Sequence, residues 1–511
     1  MLRSFGHMAR LARAGRTLAR YDALLPPEHV ADLPWPARAG LSLARLGARS
    51  PAADAQSRLT AALSALGPSY IKLGQFLATR PDLVGPARAF ELKALQDRLP
   101  PFSMDEARAA IRDSLGEEAG TLFSEFGSPV AAASIAQVHR ARTTEGREVA
   151  VKILRPGVEK RFANDLASFH FAARTMERFS AEGRRLRPVG AAQMLEQSMK
   201  LELDLRMEAS AISEMAENTK DDPGLRLPKV DWTRTGRRVL TTEWIDGTPI
   251  WDIEALKTRG HNLNALADAV VQSFLRQAIR DGFFHADMHP GNLFVDHGGR
   301  LVLVDFGITG RLSEFERQVL AEILYGFITR DYQRVARAHF EAGYVPSTED
   351  VADFVQAIRA IGEPIMDQPA EKISMARLLT QLFEVTAQFN MRTQPQLLLL
   401  QKTMVVVEGV ARSLNPAFNM WVASEPVVGG WIARRLGPLG RIEAGLSSLG
   451  TLLARLPEML EEGQRAAQAL ADRARANEGK PQTTGQLDPV SRAALVVIAF
   501  ALAVIALRLV L

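Results

Sequence analysis

The spacing of apolar residues changes period several times along the chain, and each change marks an element. At the start, MLRSFGHMARLARAGRTLARY sets apolar positions against arginines at helical spacing, the pattern of a basic amphipathic helix. Pro26, Pro27, Pro34 and Pro36 then interrupt the chain up to about Pro51. A helix pair follows. Leu59, Leu63 and Leu66 form one apolar stripe, Gly67-Pro68 ends it, and SYIKLGQFLATRPDLVG begins a second helix that Pro81 stops. In that second helix Lys72, Gln75 and Thr79 share one face. Such a polar stripe is ordinarily a solvated surface. From Phe126 to Leu154 the period falls to two and reads as strand, turn, strand, strand, with Glu145-Gly146 as a hairpin turn. Helical spacing returns in MLEQSMKLELDLRMEASAISEMAEN, whose stripe is Leu195, Met199, Leu203, Met207 and Ile212. RRVLTTEWIDGTPI reads as a strand leading into a linker, and a helix around Ala265 to Arg280 delivers the chain to Phe283–Gly307. There the apolar strands Leu293–Val295 and Leu301–Val304 flank the turn Asp296–Arg300. Helical periodicity continues to about Pro416.

The hairpin in Phe283–Gly307 brings its two ends together, so Asn292 and Asp305 are expected to face one site. Their oxygens suit a magnesium ion carried on phosphate. Asp287, on the preceding loop, is placed to accept a proton from a hydroxyl or to orient a nucleophile. The pattern H-x-D-x-x-x-x-N followed by D-F-G resembles the protein-kinase catalytic loop and metal-binding motif. Val149-Ala150-Val151-Lys152 likewise matches the strand that presents a lysine to nucleotide phosphates. A lysine inside an apolar strand is costly unless paired, and spacing leaves Glu177, Glu202 and Glu208 open as its partner. The phosphate-covering loop departs from the kinase pattern. Ala131, Ala132, Ala133 and Ser134 stand where glycines are expected, with only Gly127 nearby. The extra Cβ atoms narrow the backbone's freedom and predict altered nucleotide affinity or selectivity. The backbone from Thr242 through Glu243 to Trp244 is expected to meet an adenine edge. No A-P-E tripeptide follows Gly307, and the chain runs almost directly into SEFERQVLAEILYGFI, which argues against the usual docking of protein substrates. His285 and His289 are spaced i,i+4, but Pro290-Gly291 breaks a helix there, so loop-orienting roles are expected for His285, His289 and His297.

Composition narrows the classes further. With 511 residues there is room for one large two-lobed domain with extensions, or for two or three domains, and no cysteine is present for disulfides, thiolate catalysis or cysteine-based zinc. The net charge of +4 gives no case for nucleic acid. Its distribution points elsewhere: Arg3, Arg10, Arg13, Arg16 and Arg20 precede the first acid, Asp22, which suits anionic lipid or organelle targeting as well as a solvated arm. No flavin or Rossmann fingerprint and no dispersed iron triad stands out, which argues against a literal hydroxylase. Ala493–Leu507 is uninterrupted apolar chain after a polar linker, Asn477–Gln486. Continued to Leu511 as a helix it spans roughly 28 Å, near the hydrocarbon thickness. Arg473, Arg475, Lys480 and Arg492 precede it and Arg508 follows, which predicts a single-pass anchor in the inner membrane with the body on the cytoplasmic side.

Together these motifs resemble the UbiB family of atypical, protein-kinase-like proteins linked to ubiquinone biosynthesis. The resemblance rests on Lys72, Gly74 and Gln75 in K-x-G-Q, on Ala131–Ser134, and on Lys152. It continues through Glu202 and Asp204 in E-x-D, Glu208, Asp287, Asn292 and Asp305, and VEGVAR from Val407 to Arg412. It implies an α+β, two-lobed kinase-like fold with an N-terminal helical extension; bacterial members of the family often end in a pair of membrane helices, whereas this chain offers one clear segment, read here as a C-terminal transmembrane helix. It also implies Glu208 as the partner of Lys152, and a lid in which the Lys72/Gln75 helix covers the site opposite Glu202 and Asp204. The expected organisation is a basic arm at 1–55, the K-x-G-Q extension at 56–125 and an N-lobe with a helical insertion at 126–250. A C-lobe at 251–420, helices and linker at 421–490 and the anchor at 491–511 complete it. ATP or ADP with Mg2+ are the implied cofactors. The implied partners are membrane lipid, polyprenyl-phenol ubiquinone precursors, other ubiquinone-biosynthesis proteins and a second copy of the chain in a homodimer. A small-molecule phosphotransferase of the aminoglycoside or choline kinase type shares the catalytic loop but has no evident need for a K-x-G-Q helix, and a non-catalytic nucleotide-binding scaffold would not need Lys152, Asp287, Asn292 and Asp305 together.

Overall fold

The basic segment forms helix α1 (Leu2–Arg20), followed by α2 (Arg58–Leu66), α3 (Pro68–Ala78) and α4 (Pro86–Leu92). The structure is a computed structural model that describes residues 2–21, 23, 58–78, 80, 84–92, 95, 99–179, 187–366, 385, 388–391 and 395–436. Apolar stripes join the four helices through Ala14, Leu63, Tyr70, Ile71 and Leu92, with Leu95 beside them. Gly74 sets how closely they approach. A Cβ there would lie 2.6 Å from the Leu95 side chain and 2.8 Å from that of Leu63. Thr79, expected on the polar face of α3, lies outside the described residues.

Helix α5 (Met104–Leu115) opens on a capping box between Ser103 and Glu106 and stops at left-handed Gly116. A short α6 (Ala119–Leu122) leads into strands β1 (Phe123–Ala132), β2 (Ala136–Thr143) and β3 (Glu148–Leu154). Helices α7 (Val158–Phe179), α8 (Pro188–Glu202) and α9 (Leu205–Asn218) intervene before the short β4 (Leu225–Arg226) and then β5 (Val239–Glu243). The sheet order is β1-β2-β3-β5, with antiparallel pairs throughout. Alternation in β3 turns Val149, Val151 and Ile153 to a core shared with Ala107, Ala110 and Ile111 of α5. The same alternation puts Lys152 on the opposite face.

RRVLTTEWIDGTPI holds the expected strand and linker, and a second short strand beyond them. It divides into β5 and β6 (Gly247–Pro249), which belong to different sheets, with Trp244–Asp246 as the link. Helix α10 (Ile253–Thr258) precedes α11 (Leu263–Leu275), which continues into a π-helical turn, Arg276–Asp281, closed by left-handed Gly282. Strands β7 (Phe283–His285), β8 (Leu293–Asp296), β9 (Leu301–Leu303) and β10 (Thr309–Arg311) carry the catalytic-loop sequence. The second sheet runs β4-β9-β8-β6, and β7 pairs with β10. Beyond lie α12 (Glu314–Ile328), α13 (Tyr332–Glu341), α14 (Val351–Met366), α15 (Pro395–Leu414) and α16 (Met420–Leu436). Up to Trp431 these elements belong to one compact unit, and a second covers Ile432–Leu511. No helix among the described residues is long and apolar enough to cross a membrane. The expected anchor at 491–511 lies outside them.

Candidate active site

Lys152 reaches from β3 to two carboxylates. Its Nζ lies 2.9 Å from both oxygens of Glu208 and 2.7 Å from Oδ1 of Asp305. Glu208 sits in the first turn of α9, whose N-cap is Asp204. Burial opposes the charge on Lys152, but the two carboxylates outweigh it and raise the ammonium's pKa. Burial raises the Glu208 carboxyl, against the pull of Lys152. The Lys152 charge beside Asp305 holds that carboxyl down to about 2. Lys152 and Asp305 are therefore held in their charged forms at neutral pH. Of the carboxylates that spacing left open, Glu177 instead accepts from the Val189 amide at 2.9 Å, and Glu202 pairs with Lys72 at 2.7 Å.

That Lys72–Glu202 pair ties α3 to α8, and the Lys72 charge also acts on Asp305. Both side chains are only 9% exposed, so the K-x-G-Q face is not a solvated stripe. Gln75 is half-buried on the same helix. Asp204 behaves differently from Glu202. It caps α9 and binds the Arg206 guanidinium at 2.9 and 2.6 Å, so the two E-x-D carboxylates do not act as a pair on the lid lysine.

The catalytic-loop hairpin forms with Leu293 opposite Leu303. Val304 N donates to Asn292 O at 3.0 Å, which sets Asn292 beside the base of Asp305. Asp305 has φ +61°, a left-handed conformation uncommon for a residue with a Cβ. The Asn292 side-chain amide donates to the Asp287 carbonyl at 2.9 Å, which leaves its oxygen for a cation. His285 is fully buried. Its Nδ1 accepts from the Asp287 amide at 3.1 Å and its Nε2 donates to Val304 O at 3.1 Å. Burial lowers its pKa, so the neutral ring clamps the loop from both sides. His289 accepts from the Gly291 amide and His297 lies by Asp246, both exposed. Among the described residues no group of three His, Asp or Glu side chains forms a metal cluster.

The alanine loop is held in a way that spacing did not reveal. Ala131 and Ala132 end β1, and the turn itself is Ala133-Ser134-Ile135. Arg155, just past β3, donates to the carbonyls of Ser134 at 3.2 Å, Ala133 at 3.1 Å and Pro100 at 3.0 Å, while its amide bonds Ile135 O at 2.7 Å. A second unforeseen contact comes from α15, where buried Thr403 donates to the Ala286 carbonyl at 3.0 Å, one residue before Asp287.

The expected adenine contacts need correction on the donor side. The Glu243 amide donates to Lys229 O at 2.8 Å and that of Trp244 to Glu148 O at 3.1 Å. The Glu243 carboxylate pairs with Arg226, and the Trp244 ring lies under Arg140 at 5.0 Å. Strand-edge hydrogen bonds consume both amides, so Glu243 and Trp244 cannot donate them to a base. The first amide beyond them with no such bond among the described residues is that of Ile245.

Comparison with known proteins places the chain in a family. Residues 94–339 match the ABC1 atypical kinase-like domain, and residues 358–419 match the UbiB helical domain. A relative from Marinobacter nauticus named "probable protein kinase UbiB" is 41% identical over 460 residues, which cover 88% of this chain and 84% of the relative. One of the same name from Pseudomonas putida is 41% identical over 413 residues, covering 79% and 76%. A solved chain titled "The complex structure of Rv3197-erythromycin from Mycobacterium tuberculosis" aligns over 72% of this chain and 94% of its own length at 24% identity and TM-score 0.48. The buried lysine–carboxylate site, the domain matches and the identity over most of the length converge: the chain belongs to the UbiB family and has its atypical kinase-like fold.

Proposed function

We propose that the protein is an ATP-dependent kinase-like phosphotransferase or ATPase that supports ubiquinone biosynthesis at a membrane, acting on or near polyprenyl-phenol intermediates. The observation that carries the reading is the buried Lys152–Glu208 pair with the more exposed Asp305 on the same ammonium, and the Lys72 charge acting on Asp305. Lys152 would hold the α- and β-phosphates of ATP while Glu208 fixes its direction. Asn292 and Asp305 would hold magnesium, whose contribution is to neutralise charge between the β- and γ-phosphates. Their oxygen donors suit a hard cation, and the Lys152–Asp305 contact would yield to it. Asp287, half-buried and fixed through its amide and carbonyl, would orient the attacking hydroxyl or water. The Lys72–Glu202 bridge supports a small-molecule or lipid substrate, because a lid built on α3 would take space through which a protein substrate enters. The ubiquinone role draws on the names of the relatives, and membrane attachment draws on the apolar tail at 491–511.

The test is ATP binding and hydrolysis by the purified full chain, with and without liposomes carrying phenolic polyprenyl precursors. Asp305→Asn is expected to abolish magnesium-dependent ATP binding. Asp287→Ala is expected to remove turnover while sparing binding. Unchanged magnesium-dependent affinity in the first variant overturns the site assignment. If liposomes and precursors leave turnover unaltered, the lipid-linked reading falls.

A further inference from the structure

A cavity of about 450 Å³ lies where α1, α3 and α7 meet, and neither Lys152 nor Asp305 lines it. Arg10 and Arg13 reach it from α1, Tyr70 from α3, and Arg161, Asn164 and Asp165 from α7. Three guanidinium groups thus face one carboxylate. Two are held in place. Arg161 donates to the Leu66 carbonyl at 2.7 Å, and Arg10 bonds Ser168 Oγ at 3.0 Å and His7 at 3.0 Å. Arg13 is exposed, and among the described residues its side chain has no hydrogen bond or ion pair. Tyr70 is buried against Phe169, edge to face at 5.1 Å. Burial and Asp165 push its phenol up to about 12, so the hydroxyl keeps its proton and can donate.

We propose that this cavity binds a phosphate-bearing anion, with Arg13 as the mobile clamp over Arg10, Arg161, Asn164 and the Tyr70 hydroxyl. Guanidinium forks match phosphate oxygens in pairs, and several forks exceed what one carboxylate could satisfy. The volume also admits an organic body behind the phosphate, against Leu66 and Ala14. The site has consequences for the lid. Tyr70 is two residues from Lys72 on the same helix, so an anion bridging α1 and α7 would fix the helix that carries the Lys72–Glu202 contact. Binding itself does not depend on the nucleotide reading.

The experiment uses the full chain and two probes: soluble pyrophosphate, measured by titration calorimetry, and flotation with phosphatidylcholine vesicles with or without phosphatidylglycerol. Asp305→Asn protein runs alongside, so that pyrophosphate taken up at the candidate nucleotide site is identified and subtracted. Arg13→Gln and Asn164→Asp are the test variants. Both residues are exposed, and Arg16→Gln, on α1 but outside the cavity, is the control. A loss of pyrophosphate affinity of about tenfold or more in both test variants, with the control unchanged, supports a soluble phosphate ligand. Loss of phosphatidylglycerol-dependent flotation in the test variants but not the control supports a lipid headgroup. Equal losses in Arg13→Gln and Arg16→Gln would reduce the effect to the general charge of α1 and overturn the site. So would test variants that match wild type with both probes.

Discussion

Lys152 is a charge that the fold can hold only because two carboxylates close around it. Removing one member of a buried pair leaves the other uncompensated, so Lys152→Met is expected to cost about 3–5 kcal/mol. Adding Glu208→Gln should recover much of that loss, and urea unfolding of the single and double variants measures it. A double variant no more stable than the single one would contradict the coupling. Arg155 governs the same site less directly. With its guanidinium on the Ala133 and Ser134 carbonyls, Arg155→Gln releases two hydrogen bonds and should weaken ATP binding about three- to tenfold. Nucleotide titration would show it, and unchanged affinity would mean that the clamp does not order the loop. Lys152, Asp287, Asn292 and Asp305 were legible because their spacing is local to one strand and one hairpin. Spacing alone did not choose the partner of Lys152, because Glu177, Glu202 and Glu208 differ only in which helix crosses β3; the resemblance named Glu208, and the structure agrees. Arg155 left no trace in the pattern either, since a single arginine after a strand reads as an ordinary surface residue.

At the scale of elements, periodicity located the strands of the first sheet and the hairpin of the second. It placed a strand and then a linker in RRVLTTEWIDGTPI but missed the short β6 beyond them, because three residues are too few to show a period and their partner β8 lies far along the chain. It also read the Lys72 face as polar without showing that α8 buries it. Two helix contacts now carry predictions. Gly74→Leu inserts a branched side chain where even a Cβ crowds Leu63 and Leu95, which should cost about 1–3 kcal/mol and displace α3. A lowered melting temperature together with altered ATP turnover is the expected signature. Turnover unchanged despite lowered stability would uncouple the helix from the site. Thr403→Val removes the donor to Ala286 O, a buried carbonyl, at about 1–3 kcal/mol. Because that bond braces the loop before Asp287, kcat should fall while affinity for MgATP stays near wild type. Equal loss of both would point to general unfolding instead.

Across the whole molecule, buried histidines set the response to acid. His139, His285 and His339 are all buried, and burial holds all three pKa values below the ordinary 6.5. The unfolded chain therefore takes up protons below pH 6.5 that the native chain refuses, and stability falls as pH drops from there toward the folded values. Each contributes up to about 1.4 kcal/mol per pH unit in that window. The melting temperature should decline between pH 7.5 and 5.5, and His339→Asn should flatten the slope. A flat profile in the wild type would refute this account. Asp305, depressed to about 2 by Lys152, adds a later loss as pH falls from about 3.8 toward 2. The contact from Thr403 to Ala286 has a further consequence, for heredity. It joins the ABC1-like segment, 94–339, to the UbiB helical segment, 358–419. A recombination event that exchanged one segment without the other would transmit an intact catalytic sequence whose loop had lost its brace. Selection should therefore pass the two on as a single heritable cassette.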